Sequence, residues 1–507
     1  MDTDEGPWEI QAVLPIKLPI RDHLHLRPSA SICGYEVSET QEHVETFSSH
    51  RIPVGGLRAM NESSSVLERV FQLGRHQTSV RREFIAGITT FAAMAYILAV
   101  NPGILGQTGM DRGALITATA LASALMTLVM ALATNYPIAL APGMGLNAFF
   151  TYGLCLGAKI PWQAALGLVF YSGCIFLLLT LTGVRKKLIE AIPHELKLAI
   201  TCGIGLFIAF IGLKNGGIIV ASPPTFVSLG DLHQPGPLLV LGGIVLTAVL
   251  VWRKVPGAII LVIAAITILG LFLTTTGADG KPMPVTAPPS AIVSAPASLA
   301  PTFLQLDLGY FPAHWRQCLP LLLALLFVDL FDNMGTLIGV CQRAGLLDAQ
   351  GNLPKLGRAL TADATAAMVG STLGTSTVTS YIESAAGVEA GGRTGLTAIV
   401  TAGCFLLALF LNPLIAIIPA AATAPALVIV GVFMMQSIAE LDLKDFSKAV
   451  PAVITILAMP LTFSIAEGIA LGFVVYVLFA LGIGRAREVK PLAWVLGGLF
   501  LAHLIWK

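Results

Sequence analysis

From about residue 84 to the C-terminus, apolar stretches close to twenty residues long follow one another with only short polar breaks, and each is long enough to cross a bilayer as a helix. Helices that are apolar on every side have no face to give to water, so such a chain cannot fold as a soluble domain. Charge agrees with this. Asp, Glu, Lys and Arg make up 12% of the 507 residues, about half the share usual in soluble proteins. The chain reads as an all-α polytopic membrane protein whose solvent is the lipid bilayer. A formal net charge of +1 leaves no electrostatic footprint for nucleic acid. The seven cysteines (Cys33, Cys155, Cys174, Cys202, Cys318, Cys341, Cys404) have no paired spacing, and most lie inside apolar runs. They read as small buried hydrophobes rather than as disulfides or metal ligands.

Residues 1–59 are polar and aperiodic and contain no signal-peptide pattern, so they read as a disordered extension or as a start placed too early, with Met60 as an alternative start. Residues 60–82 read as an amphipathic lead-in with a basic edge. Counting apolar runs between turn residues gives about fourteen segments. They fall at 84–105, 113–134, 138–154, 161–183, 195–213, 237–252 and 255–273, then at 316–341, 359–373, 376–391, 395–418, 424–440, 447–464 and 467–484. A Pro/Ala/Ser-rich loop (274–315) separates the two groups. The last apolar stretch, Pro491–Trp506, is short for a span and reads as an interfacial or half-buried helix.

Basic residues give the orientation. With the N-terminus in the cytoplasm, the cytoplasmic connections hold Arg185, Lys186, Lys187, Arg253, Lys254, Arg343, Lys355, Arg358, Arg393, Lys444, Lys448, Arg485, Arg487 and Lys490. The opposite side holds Arg112, Lys159, Lys214, Lys281 and Arg316, an asymmetry of about three to one. Both termini are then cytoplasmic. Segments 1 and 8, and the irregular segments 3 and 10, are offset by roughly 232 and 238 residues, which suggests two halves. Seven segments per half is an odd number, so the second half enters from the opposite side, as in the inverted repeats of secondary transporters.

Two segments are poor helices. "NYPIALAPGMGLNAFFTYG" (Asn135–Gly153) is broken by Pro142, Gly143 and Gly145. "GTSTVTSYIESAAGVEAGG" (Gly374–Gly392) opens with a β-branched, hydroxylated run that reads as a strand and continues as a small-residue helix. Unwound backbone at membrane depth is tolerated where it is buried in protein or lines a cavity, so paired breaks point to a binding site between them. Glu383 lies at the second break, with Tyr381 and Ser384 beside it. "LLFVDLFDNMGTLIG" (Leu325–Gly339) buries Asp329 and Asp332, three apart and so on one helix face. Ionisable residues within a membrane are functional candidates by default. Asn147 reads either as a ligand or as a tie to unwound backbone. Met94, Tyr96, Phe149 and Phe150 read as core aromatics and aliphatics, with stacking on a planar ligand as the alternative. Glu389 and Arg393, four apart, read as an exposed pair.

"FIAGITTFAAMAYILAVNP", "APGMGLNAFF", "FVDLFDNMGTLIG" and "TSYIESAAGVEAGGRTGLTAIV", in this order, resemble the AzgA-like branch of the nucleobase:cation symporters, the permeases for hypoxanthine, guanine and adenine. The resemblance covers about residues 75–507. It implies the uracil-permease type of fold: fourteen segments in two inverted seven-segment repeats, with segments 3 and 10 broken by short strands. A core domain would hold residues 83–183 and 316–418, a gate domain residues 184–273 and 419–484, and residues 485–507 would form a C-terminal interfacial helix. It further implies proton-coupled uptake across the cell membrane by elevator-like sliding of core against gate, with no cofactor beyond the co-transported proton. In family terms Asn147, Asp329, Asp332 and Glu383 match the asparagine of segment 3, the acidic pair of segment 8 and the glutamate of segment 10.

On this basis the expected purine ligands are Glu383, Asp329, Asn147, Phe149, Tyr381 and Ser384, and Asp332 is the expected proton-coupling carboxylate. Carboxylates accept the ring N–H groups of a purine, each bond being worth roughly 1.5–3 kcal/mol. Another neutral solute on the same fold is the alternative. An anion is disfavoured by three carboxylates, and an intramembrane enzyme lacks the second aspartate-rich motif that a pyrophosphate site needs. The preferred purine, the ion stoichiometry and the choice between monomer and homodimer are left open by the sequence.

Overall fold

The computed structural model describes residues 66–183, 192–276, 282–348 and 353–506. The N-terminal extension and the proposed alternative start lie outside the described residues. The described residues belong to one packed unit, 63–507.

The first half opens with a short lead-in helix, α1 (Val66–Phe71). It continues with α2 (Val80–Met94), α3 (Ile97–Leu105) and α4 (Arg112–Thr134). Strand β1 (Leu140–Pro142) and the short α5 (Met144–Ala148) follow, and α5 runs on as a π-helical stretch, Phe149–Gly157. Next are α6 (Trp162–Leu181), α7 (His194–Asn215), the hairpin β2 (Ile219–Ser222) and β3 (Phe226–Leu229), α8 (Pro235–Trp252) and α9 (Ala258–Gly270). A second hairpin, β4 (Thr274–Thr276) with β5 (Pro282–Pro284), leads through a long irregular stretch to α10 (Tyr310–Ala313).

The second half holds α11 (Trp315–Arg343), α12 (Leu356–Leu373), β6 (Val378–Ser380), α13 (Ser384–Glu389), α14 (Gly395–Ala408) and α15 (Asn412–Ala416). It ends with α16 (Ala420–Met435), α17 (Phe446–Leu461), α18 (Ile465–Gly482) and α19 (Pro491–Trp506). Among the described residues, nine helices are long and apolar enough to cross a membrane. The chain is a multi-pass membrane protein.

Why the helices form is plain from their ends. Asp111 caps α4 by accepting from the Ala114 N–H at 2.7 Å, and Asn135 ends it with φ +61°, the left-handed stop that asparagine tolerates. Where helices meet, glycine sets the spacing. A Cβ on Gly387 of α13 would lie 2.0 Å from Thr90 Oγ1 of α2, so the two helices touch only because that side chain is missing. The stretch from Thr286 to Leu308, which the sequence offered as a plain loop, is laid across helix ends. Ala297 O accepts from Thr117 of α4, Phe410 O from Ser294 N–H, Thr372 O of α12 from Leu304 N–H, and Gln163 O of α6 from Asp307 N–H. The last apolar stretch is a full helix, α19, packed on α18 through Val477, Ala480, Val489 and Ala493.

Candidate functional site

The two irregular segments meet. β1 and β6 pair antiparallel, with Leu140 opposite Ser380, Ala141 opposite Thr379 and Pro142 opposite Val378. Two strands of three residues cannot satisfy themselves at membrane depth, so the surrounding chain completes the hydrogen bonding. Gly143 N–H donates to Thr377 O at 3.0 Å, and Tyr381 N–H donates to Ala139 O at 3.0 Å. The Tyr381 hydroxyl donates to Pro142 O at 2.6 Å, Ala139 N–H donates to Ser384 Oγ at 3.0 Å, and Leu140 N–H donates to Thr127 Oγ1 of α4 at 2.8 Å. The Ser376 hydroxyl donates to Asn147 Oδ1. Thus Asn147, Tyr381 and Ser384 all serve as ties between one break and the other. Asn147 Nδ2 also donates to the backbone Pro142 O at 3.5 Å.

Glu383 occupies the cap position immediately before α13, half-buried, and its Oε1 accepts from the hydroxyl of the fully buried Tyr96. Tyr96 sits where the first spanning helix is interrupted between α2 and α3. Asp332 approaches the same place from α11. A Cβ built on Gly143, the residue after β1, would lie 3.7 Å from Asp332 Oδ2 and 2.8 Å from Thr379 Cγ2. Asp332 and Glu383 lie within electrostatic range of one another. Asp329 is buried one turn earlier on α11. Phe149 is in the apolar core, its ring turned onto its own segment, where a Cβ on Gly153 would meet it at 2.6 Å. The arrangement therefore gathers Glu383, Asp332 and Tyr96 around the strand pair, with glycine where the first break packs on Thr379.

Three residues in and around this site take roles that the sequence does not assign them. Tyr96 was weighed only as core or stacking surface. Asp363 of α12 is buried, accepts from Thr379 Oγ1 at 3.2 Å and from the Asn333 amide, and so braces both β6 and the helix of the acidic pair. A lone acid in the run "TADATAAMVG" was the available signal. Glu83 of α2 is fully buried, and its carboxylate accepts from the N–H groups of Arg393 (2.9 Å), Thr394 (3.2 Å) and Thr397 (3.2 Å) and from the Thr397 hydroxyl (2.6 Å). It caps α14 from another helix. The expected Glu389–Arg393 pair does not form. Arg393 donates to Val388 O and Gly392 O, closing the end of α13, and Glu389 instead meets Arg343 at 3.3 Å. Among the described residues no group of three or more His, Cys, Asp or Glu is placed to hold a metal.

Comparison with known proteins adds to this geometry. The model of the Permease family matches residues 81–471. The adenine permease AdeP of Escherichia coli is 44% identical over 442 residues, which cover 87% of this chain and 96% of that protein. The guanine/hypoxanthine permease PbuG of Bacillus subtilis is 45% identical over 449 residues, covering 87% of this chain and all of PbuG. Among solved structures, the transmembrane domain of the cyanobacterial bicarbonate transporter BicA superposes with a TM-score of 0.56 at 17% identity, over 77% of this chain and 97% of that domain. At that identity the likeness concerns the fold alone.

Proposed function

The chain belongs to the Permease family, and from that premise we propose that it is a secondary active transporter that takes up purine nucleobases by proton symport. It is a permease and not an enzyme. Relatives named for adenine and for guanine and hypoxanthine, matched over nearly their whole length, support the substrate class. The observation that carries the reading is Glu383 within electrostatic range of Asp332 at the junction of two paired breaks, with Tyr96 already hydrogen-bonded to one Glu383 oxygen. Glu383 would accept a ring N–H of the purine. Asp329 would take a second, and Asp332 would carry the coupled proton. Asn147, Tyr381 and Ser384 would hold the strand pair in register beneath the ligand, and Phe149 would back it from the core.

The same reading takes the fold as fourteen segments in two inverted repeats. Each repeat contributes one three-residue strand followed by a short helix, and these meet at the site, which supports it. Segments 1–4 and 8–11 would slide as a core against segments 5–7 and 12–14, with both termini in the cytoplasm. Uptake of radiolabelled hypoxanthine, guanine, adenine, xanthine and uracil tests the proposal, in cells lacking their own purine permeases. It is measured with and without a protonophore, beside Glu383→Gln. Uptake of one or two purines, lost in the variant and on collapse of the proton gradient, is the expected result. No purine uptake by well-inserted protein would sink the substrate class.

A further inference from the structure

Away from the transport site, positive charge is gathered at the entry to the first spanning helix. The turn after α1 contributes Arg75 and His76, the residue before α12 is Lys355, and the first turn of α12 contributes Arg358. The pieces are held in place. Phe71 and Leu73 are buried against Leu396 and Ile399 of α14, and Asn135 Nδ2 donates to Phe71 O at 3.0 Å. Lys355 donates its backbone N–H to the Tyr136 hydroxyl and its ammonium to Thr134 O, the last residue of α4, both at 2.9 Å.

These cations feel one another. Desolvation, then the charges of Arg75 and Lys355, hold the His76 imidazole below its ordinary range, and desolvation, then Arg358 and Arg75, do the same to the Lys355 ammonium. The acids nearby are already occupied. Glu83, which faces His76, is bonded to the start of α14, and Glu68 accepts from Gly74 N–H at 2.9 Å. Among the described residues no ion pair involves Arg75, Lys355 or Arg358, and all three are exposed. Leu67 and Val70 of α1, close by in sequence, turn aliphatic side chains outward.

Clustered cations beside exposed aliphatic groups, next to the end of a spanning helix, match one chemistry: a phosphate headgroup with its acyl chain alongside. We propose that Arg75, Lys355 and Arg358 form a binding site for the headgroup of an anionic phospholipid, with Leu67 and Val70 against its acyl chain. The site rests on the lead-in turn and α12 and does not depend on what the permease carries.

The test uses the purified full chain with mixed phosphatidylglycerol and phosphatidylcholine, bound lipids being counted by native mass spectrometry. Wild type is expected to retain phosphatidylglycerol preferentially. Each charge near an anionic surface is worth about fivefold, so Arg75→Gln/Arg358→Gln should reduce the preference about 25-fold. The charge-matched control Arg253→Gln/Lys444→Gln, on exposed residues elsewhere, should keep it. Equal retention by wild type and the double variant overturns the site. So does an equal loss in the control, which would mean bulk charge alone, or displacement of the lipid by millimolar inorganic phosphate, which would mean a soluble-anion site.

Discussion

Tyr96 and Glu383 stand 287 residues apart in sequence, and the hydroxyl of one donates to the carboxylate of the other. This bond fixes one Glu383 oxygen, and under the proposed function the carboxylate would also accept from the ligand. It also joins the interruption in the first spanning helix to the break before α13.

Tyr96→Phe removes the donor and keeps the ring. Hydrogen bonds to an ionised group are worth about 1.5–3 kcal/mol, so apparent affinity for the transported base should fall by roughly tenfold or more. Surface expression should stay at the wild-type level. Concentration-dependent uptake reads this out, and an unchanged KM would mean that Tyr96 only fills space.

Gly143 is needed for room rather than for backbone freedom, since its φ of −69° suits any residue. Gly143→Ala would push a methyl group to within 2.8 Å of Thr379 Cγ2, an overpacking strain of about 1–3 kcal/mol. Uptake should be largely lost. Adding Thr379→Ser deletes the opposing methyl and keeps the hydroxyl that bonds Asp363, so the double variant should recover transport. Failure of the second change to help would place the obstacle at Leu146, whose Cδ1 lies 3.1 Å from the same position.

Glu83 should prove structural. Glu83→Ala leaves the N–H groups of Arg393 and Thr394 without their acceptor at the start of α14, whereas the Thr397 N–H keeps Thr394 O at 3.2 Å, and each orphaned buried donor costs about 1–3 kcal/mol. Thermal unfolding of the purified protein should shift down, by about 2 kcal/mol or more in stability. A melting curve superimposable on that of wild type would rule out the capping role.

His76 gives the lead-in turn a pH dependence. Its folded pKa lies below the ordinary 6.5, through desolvation first and then Arg75 and Lys355, with Glu83 opposing. The unfolded turn therefore binds a proton more readily than the docked one. Docking is at full strength above 6.5 and weakens as pH falls through the folded value. Hydrogen exchange of residues 71–78 should speed up, beyond its intrinsic pH dependence, when pH drops from 7 to 5.5. His76→Gln should abolish the change.

Much of this site was legible because breaks and carboxylates are anomalies in an apolar chain. "APGMG" and "TSTVTSY" announce unwound backbone, and Asp332 and Glu383 stand out by charge. Tyr96 does not stand out, since a tyrosine in "MAYILAV" is as good a core residue as a donor until its partner is known. A strand in the first break is implied by the family resemblance and not by the residues of β1 themselves. "LAP" has no strand signature, and only pairing with Val378–Ser380 makes it one. Glu83 sits near a basic helix start, where an acid reads as solvated, and its burial depends wholly on α14. Each miss is a long-range partnership that local pattern cannot encode.

The strand pair also bears on how the molecule is made. When the ribosome has synthesised only the first half, the polar backbone around Leu140 has Thr127 of α4 beside it but lacks its cross-strand partners, because Ser384, which receives the Ala139 N–H, lies 245 residues downstream. Until then those groups must be sheltered by the insertion machinery or by trapped water. The candidate site is thus completed only after β6 has been made, and a nascent chain that stalls before it holds a membrane scaffold with one half of the strand pair.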